Sequence, residues 1–359
     1  MDTDRTSESP SDRETQSPLP CLTADLPGIG GTIKQSPDDF VVEEIAAYEP
    51  CGTGDHLFLF VEKRDVSAEQ LTRHIARSLQ ISSRDVGVAG LKDRAAVTRQ
   101  WVSVPARCLE RVGAVETDSI RVLRHDRHGN KLRTGHLRGN RFSILVRDVG
   151  NNAIEFAEVI ASRIGEHGFL NYFGSQRFGY DGENLRTGLD LLAGRISERA
   201  LSRTRRHFLL RFSISAVQSH LFNLALSERL CAGTLTQVQP GDIMQVVATG
   251  GLFAVEDTSV EQSRFDAGET AITGPIFGPK MSAAAGEPAR QEAELLAAFD
   301  LRLDDFQRFG KLARGTRRAY LVRPQELVVE QEPTGLRFRF TLPAGTYATS
   351  LLREFQKKD

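Results

Sequence analysis

Hydrophobic and polar positions alternate along this chain with two different periods. "DDFVVEEI" (38–45) and "HLFLFVEKR" (56–64) are short runs rich in β-branched and aromatic residues, which predicts two strands. Leu71, Ile75 and Leu79 then fall at i, i+4 and i+8. Ser67 with Gln70 three positions on supplies a capping box, so 67–80 is expected to be an amphipathic helix. "DVGVAGL" (85–91) reads as a returning strand. In "NRFSILVRDV" (140–149), Phe142, Ile144 and Val146 share one face at strand spacing, and 152–167 reads as a helix. "LNYFGSQRFGYDGEN" (170–184) mixes aromatic, glycine and polar residues and is expected to be a loop. Helical segments near 185–195 and 213–231 follow, separated by Gly- and Pro-rich pieces that suggest a second domain. Near the C-terminus "ELVVEQ" and "LRFRFTL" flank a turn containing Pro333 and Gly335. Leu336, Phe338, Phe340 and Leu342 alternate strictly, predicting an antiparallel hairpin with one buried face and a short closing helix after it.

Composition narrows the class. A chain of 359 residues, 40% hydrophobic and 26% charged, is expected to be a soluble globular protein of about two domains. Residues 1–24, rich in Ser, Thr, Pro, Asp and Glu, read as a disordered tail. The first twenty residues lack the apolar core of a secretory signal, and no uninterrupted apolar run reaches membrane-spanning length. Cys21, Cys51, Cys108 and Cys231 lie far apart without a CxxC pair, the pattern of reduced thiols in a cytoplasmic protein. HExxH, P-loop and GxGxxG patterns are missing, so neither a metal nor a cofactor is expected.

The net charge of −1 says little, but its distribution says more. Residues 121–141 carry seven Lys/Arg and three His, and "SRTRRHFLLR" (202–211) and "KLARGTRRAYLVR" (311–323) add further cations. Segregated basic runs can bind a polyanion through one face; the plain alternative is a set of solvated loops.

One carboxylate stands out. In "AGLKDRAAVTRQW" (89–101), Asp93 sits between Lys92 and Arg94 at a break between two apolar segments. A carboxylate between cations keeps a low pKa and remains available as a nucleophile at neutral pH. Neighbours on an extended chain can point away, so a distant partner such as Lys34 is an alternative, and a charged surface turn is another. Phe40, Phe142 and Tyr347 are aromatics beside polar loop residues, suited to the core or to holding an extruded base. Asn140, just ahead of a strand, is either a turn residue or an amide able to read a uracil edge. Gln176 and Arg177 are polar groups in an aromatic loop, expected to be exposed and either to bind substrate or to belong to a surface hydrogen-bond network.

Five segments occur in one order: "IKQSPDDFVVEE" (33–44), "AGLKDRAAVTRQW" (89–101), "LRGNRFSILVRD" (137–148), "NYFGSQRFG" (171–179) and "LPAGTYATSLLRE" (342–354). Together they strongly resemble the TruD family of tRNA pseudouridine synthases, from about residue 28 to the C-terminus. The resemblance implies a V-shaped α/β (α+β) protein with a mixed, largely antiparallel sheet. The catalytic domain would comprise 25–168 and 322–359, with the family's inserted domain at 169–321 and tRNA in a basic cleft between them. It implies uridine isomerisation, at position 13 of tRNA, by a cytoplasmic monomer without metal. By the match of motifs, Asp93 is the catalytic aspartate, Phe40, Asn140 and Tyr347 contact uridine, Phe142 packs beside the reacting base, and Lys34 is the lysine of the first motif. Tyr347 departs from the family's usual Phe; the ring is kept, and the added hydroxyl needs a partner or water. Two other classes fit the same residues: a catalytically silent RNA-binding protein, and a hydrolase of N-glycosidic bonds.

Overall fold

The apolar runs assemble into one large sheet, with a long core on one face and a smaller cluster around Phe58 and Trp101 on the other. In the computed structural model, which describes residues 19–358, its first strands are β1 (Gly30–Thr32), β2 (Phe40–Ala46), β3 (His56–Arg64), β4 (Gly87–Val88), β5 (Val97–Pro105), β6 (Ile120–His128) and β7 (Leu137–Val149). The middle of the chain forms β8 (Phe169–Leu170), β9 (Ile243–Val246), β10 (Leu252–Ala254), β11 (Thr270–Ile276), β12 (Thr316–Ala319) and β13 (Leu321–Val322). The predicted hairpin, β14 (Gln325–Glu332) and β15 (Gly335–Pro343), then returns to the first sheet. The sheet order is β14–β15–β7–β2–β5–β3–β6, with β1 on β7 and β4 on β5. Only the β2–β5 pair is parallel, so the class is mixed α/β with mostly antiparallel pairing.

Cross-strand register explains the core. Phe338 pairs with Ile144, Phe340 with Phe142 and Leu342 with Asn140, while Phe40 and Val42 pair with Ile144 and Phe142 from the other side. Paired residues share a face. The hairpin's apolar face therefore continues across β7 and β2, and its side chains, each worth ~1.5–3 kcal/mol when buried, find cover only there. The helices are α1 (Ala68–Ser78), α2 (Ala153–His167), α3 (Glu183–Leu192), α4 (Arg206–Cys231), α5 (Thr258–Asp266), α6 (Gly286–Ala297) and α7 (Ala348–Gln356). α2 and α7 cover the β15–β7–β2 part of the face, and α1, with the expected Ser67–Gln70 capping box, covers Leu57, Leu59 and Val61 of β3. A separate core gathers α3, α4, α6 and the four-stranded sheet β10–β9–β11–β12. The ribbon β8–β13 joins the two cores: Phe169 and Val322 pack into the first, Leu170 and Leu321 into the second.

Several expectations need correction. The strand expected over 85–91 shrinks to Gly87–Val88, since the chain bends away to form the Asp93 loop. Residues 121–141 are not a solvated loop but β6 and the start of β7 joined by a turn, with most of β6 exposed at the sheet edge. The basic run 202–211 opens the long helix α4, which starts seven residues before the expected position 213. Of the expected tail, residues 1–18 lie outside the described residues. Residues 19–24 pack on α7: the Leu22 and Thr23 amides and the Thr23 hydroxyl donate to the buried Glu354 carboxylate at 2.7–3.1 Å.

Candidate active site

The face of the main sheet has a polar gap between its two helical covers. Following the register, Asn140, Glu44 and Gln100 lie in one cross-sheet row, and Phe142, Val42, Thr98 and Lys63 in the next. Glu44 and Lys63 occupy inward positions of strands whose other inward residues are apolar. Each is buried and needs a partner. The loop 89–96 supplies both. Lys92 Nζ donates to Glu44 Oε2 at 2.8 Å in a fully buried ion pair. Lys63 Nζ donates to the Asp93 carbonyl at 2.7 Å and to the Val66 carbonyl at 2.6 Å. Burial pulls the Lys63 pKa down to about 8, against the pull of the Asp93 charge.

These anchors turn Asp93 outward. Lys92 and Arg94 do not flank its carboxylate: Lys92 is taken by Glu44, and Arg94 pairs with Asp65. The partner is Lys34, whose Nζ lies 2.5 Å from Asp93 Oδ2, leaving the aspartate side chain 53% exposed. Lys34 follows β1 in a left-handed backbone conformation, φ 62°, which costs ~1–2 kcal/mol for a non-glycine residue and aims its chain across the sheet end. The same Nζ sits 4.3 Å from the Phe40 ring centre. Phe40 meets Phe142 edge-on at 6.3 Å, and Phe142 stacks on Phe340 at 5.2 Å. Lys34, Asp93, Phe40 and Phe142 thus form one continuous cluster.

Asn140 lies two positions along β7 from Phe142, on the same face, and its Oδ1 is buried without a hydrogen-bond partner. Thr98 Oγ1 and Gln100 Oε1 on β5 are unpaired and buried as well. Buried polar atoms are almost always satisfied, so three orphans on one face mark a gap that water or a polar ligand would fill.

Tyr347 and Arg177 stand on a different wall. Tyr347, at the N-cap of α7, is 38% exposed and lies 6.1 Å from Phe173. Arg177 is not an exposed surface group as expected: its guanidinium donates to the hydroxyls of Ser215 and Ser219 on α4 at 2.5 and 3.2 Å. Arg177 lines a cavity of about 360 Å³ together with Phe173, Arg318, Pro343, Ala344 and Thr346, and Tyr347 sits next to it, after Thr346 and beside Phe173. The lining adjoins β7 through the Ala344 amide, which donates to the Arg138 carbonyl at 3.0 Å, and Leu342 pairs with Asn140. The Gln176 side chain lies outside the described residues. Sequence reasoning missed Lys63, Glu44 and Arg318. The first two had a signal, a charge at an inward position of an alternating strand; Arg318 looked like one more cation in a basic run.

Known proteins resemble this chain in sequence and in fold. The family described as tRNA pseudouridine synthase D (TruD) matches residues 18–204 and 186–355. The tRNA pseudouridine synthase D of Anaeromyxobacter sp. (strain Fw109-5) is 44% identical over 338 residues, 94% of this chain and 96% of that one. A tRNA pseudouridine synthase D of Thermus thermophilus is 42% identical over 342 residues, 94% of this chain and 92% of that one. A crystal structure assigned to tRNA pseudouridine synthase D of Methanosarcina mazei superposes with a TM-score of 0.71 at 25% identity, covering 94% of this chain and 96% of that one. With matches at this identity and length, in sequence and in structure, the chain belongs to the TruD family of tRNA pseudouridine synthases.

Proposed function

We propose that this protein is an isomerase that converts uridine to pseudouridine in tRNA, at position 13, with Asp93 as the catalytic carboxylate. Uracil is detached from C1′ of its ribose, turned and rejoined through C5, so no atom is gained or lost. Asp93 assists departure of the base by covalent attack, at the sugar or on the ring. Lys34 pairs with this carboxylate before substrate arrives. The target must first leave the stack, at a cost of a few kcal/mol. Phe40, Phe142 and the ring of Tyr347 offset this by packing. Asn140 meets the uracil edge, its Oδ1 accepting from N3–H and its amide donating to a ring carbonyl. The observation that carries the reading is the Lys34–Asp93 pair set beside Phe40 and Phe142, two positions along β7 from the unsatisfied Asn140.

We take 25–168 with 322–359 as the catalytic domain and 169–321 as the inserted one, with the tRNA held in a basic cleft between them; the two separate hydrophobic cores support the division. The protein acts in the cytoplasm, where unpaired cysteines persist. Incubating it with unmodified tRNA and mapping pseudouridine chemically tests the function. Isomerised RNA of unchanged mass is expected. An abasic site would instead identify a hydrolase, and bound but unchanged RNA a silent binding protein.

A further inference from the structure

The cavity beside Tyr347 contains an electrostatic imbalance. Its lining includes three guanidiniums, Arg177, Arg317 and Arg318, and no Asp or Glu. Arg317 is neutralised by Glu292 at 2.5 Å. The other two form no ion pair with a carboxylate among the described residues. Arg318 donates only to neutral acceptors, the Asn171 carbonyl at 3.2 Å, Asn171 Oδ1 at 2.5 Å and the Gly345 carbonyl at 2.9 Å, and lies 4.2 Å from the Phe173 ring centre. Arg177 is held by the two serine hydroxyls and by the same Phe173 ring at 5.6 Å. Burial pulls the Arg318 pKa down to about 10; the Tyr347 hydroxyl opposes this shift and Arg177 adds to it. Two fixed, repelling cations in one enclosure are costly without an anion between them. A guanidinium fork held in a rigid orientation matches phosphate oxygens.

We propose that Arg177 and Arg318 form a phosphate subsite that grips the RNA phosphodiester on one side of the target uridine. This rests on the reading of the protein as a tRNA-modifying enzyme. The location fits, since Pro343 and Ala344 of the cavity wall continue from Leu342, the cross-strand partner of Asn140. A base held at Asn140 leaves its own backbone within reach of the cavity. The subsite thereby fixes the nucleotide from its phosphate while the aromatic cluster fixes it from its base.

The test replaces each of the two phosphates flanking the target uridine by a neutral methylphosphonate in a synthetic tRNA. With the parent protein, one of the two replacements should lower kcat/KM and binding by about 10- to 100-fold, the worth of a charge-assisted bond. In Arg177→Gln or Arg318→Gln the same replacement should have little further effect. Melting curves identify whichever variant folds, and Arg177→Gln suffices alone. The proposal is overturned if neither replacement matters, or if its effect is undiminished in the variants. It is also overturned if inorganic phosphate raises the melting temperature of the parent but not of Arg177→Gln while both modified tRNAs behave as the unmodified one, for the cavity would then take a free anion. Absence of product from unmodified tRNA defeats the enzymatic reading instead, and the binding arm of the same cycle still judges the subsite.

Discussion

Asp93 is held by its main chain and left free at its carboxylate. Lys63 grips its carbonyl from below, and Lys92 ties the loop to Glu44. Asp93→Asn removes only the exposed pair with Lys34, which contributes less than ~1 kcal/mol. The variant should therefore keep its melting temperature and its tRNA affinity while making no pseudouridine. A folded Asp93→Asn protein that isomerises at the parent rate would refute the assignment. Lys63 gives a second prediction, of pH dependence. Its pKa falls from 10.5 to about 8 on folding, so between those values the unfolded chain binds more protons. The stability this group contributes is fully present above pH 10.5 and lost as pH falls through about 8. In urea unfolding, the parent should gain on Lys63→Met as pH rises from 8 to 10. A flat difference would mean that Lys63 keeps its proton throughout.

At the scale of elements, the β7–β15 pair positions the residues proposed to contact the base and leaves no room beside Asn140. A Cβ on Gly139 would lie 2.2 Å from the Leu342 carbonyl oxygen, so the strands approach too closely for any side chain. Gly139→Ala must push β15 away from β7 at the point where Asn140 and the rim of the arginine cavity meet. We expect a loss of ~1–3 kcal/mol in stability, together with lower activity. Gly113→Ala, where the added carbon meets nothing within 4 Å, serves as the tolerated control. Equal melting temperatures for the two variants would show that β15 yields without cost. The hairpin itself was plain in the alternation of Leu336, Phe338, Phe340 and Leu342. The strand Val97–Pro105 was less so, because it is buried on both faces at its centre and its run lacks a clean period.

For the whole molecule, affinity for tRNA should fall as salt rises, since lysine and arginine displace phosphate counterions. Arg133, in the turn after β6, and Arg138, at the start of β7, are both exposed. Replacing both by Gln should weaken binding across tRNAs and reduce the slope of log affinity against log salt by about 1 for each phosphate left ungripped. An unchanged slope, measured by filter binding, would remove this segment from the interface. The N-terminal segment ties in at the same scale. Cutting the chain after residue 24 removes the donors that satisfy the buried Glu354, and should cost ~1–3 kcal/mol in urea unfolding. Full retention of stability would show that water replaces them.

Local periodicity and motif order determined much of this protein: the hairpin, helix α1 with its capping box, and the family. These are short-range properties, carried by side chains a few positions apart or by runs of residues in fixed order. Which cation faces Asp93 was decided only by the tertiary structure. Lys92 and Arg94, its neighbours in the chain, are claimed by Glu44 and Asp65, and Lys34 arrives from the distant loop after β1. The same holds for the docking of residues 19–24 under Glu354 and for the pairing of Arg177 with Arg318 in one cavity. In each case the partners lie tens to hundreds of residues apart. A charge in a sequence states what it needs, but only the packed sheet and helices decide which distant group lies close enough to meet that need.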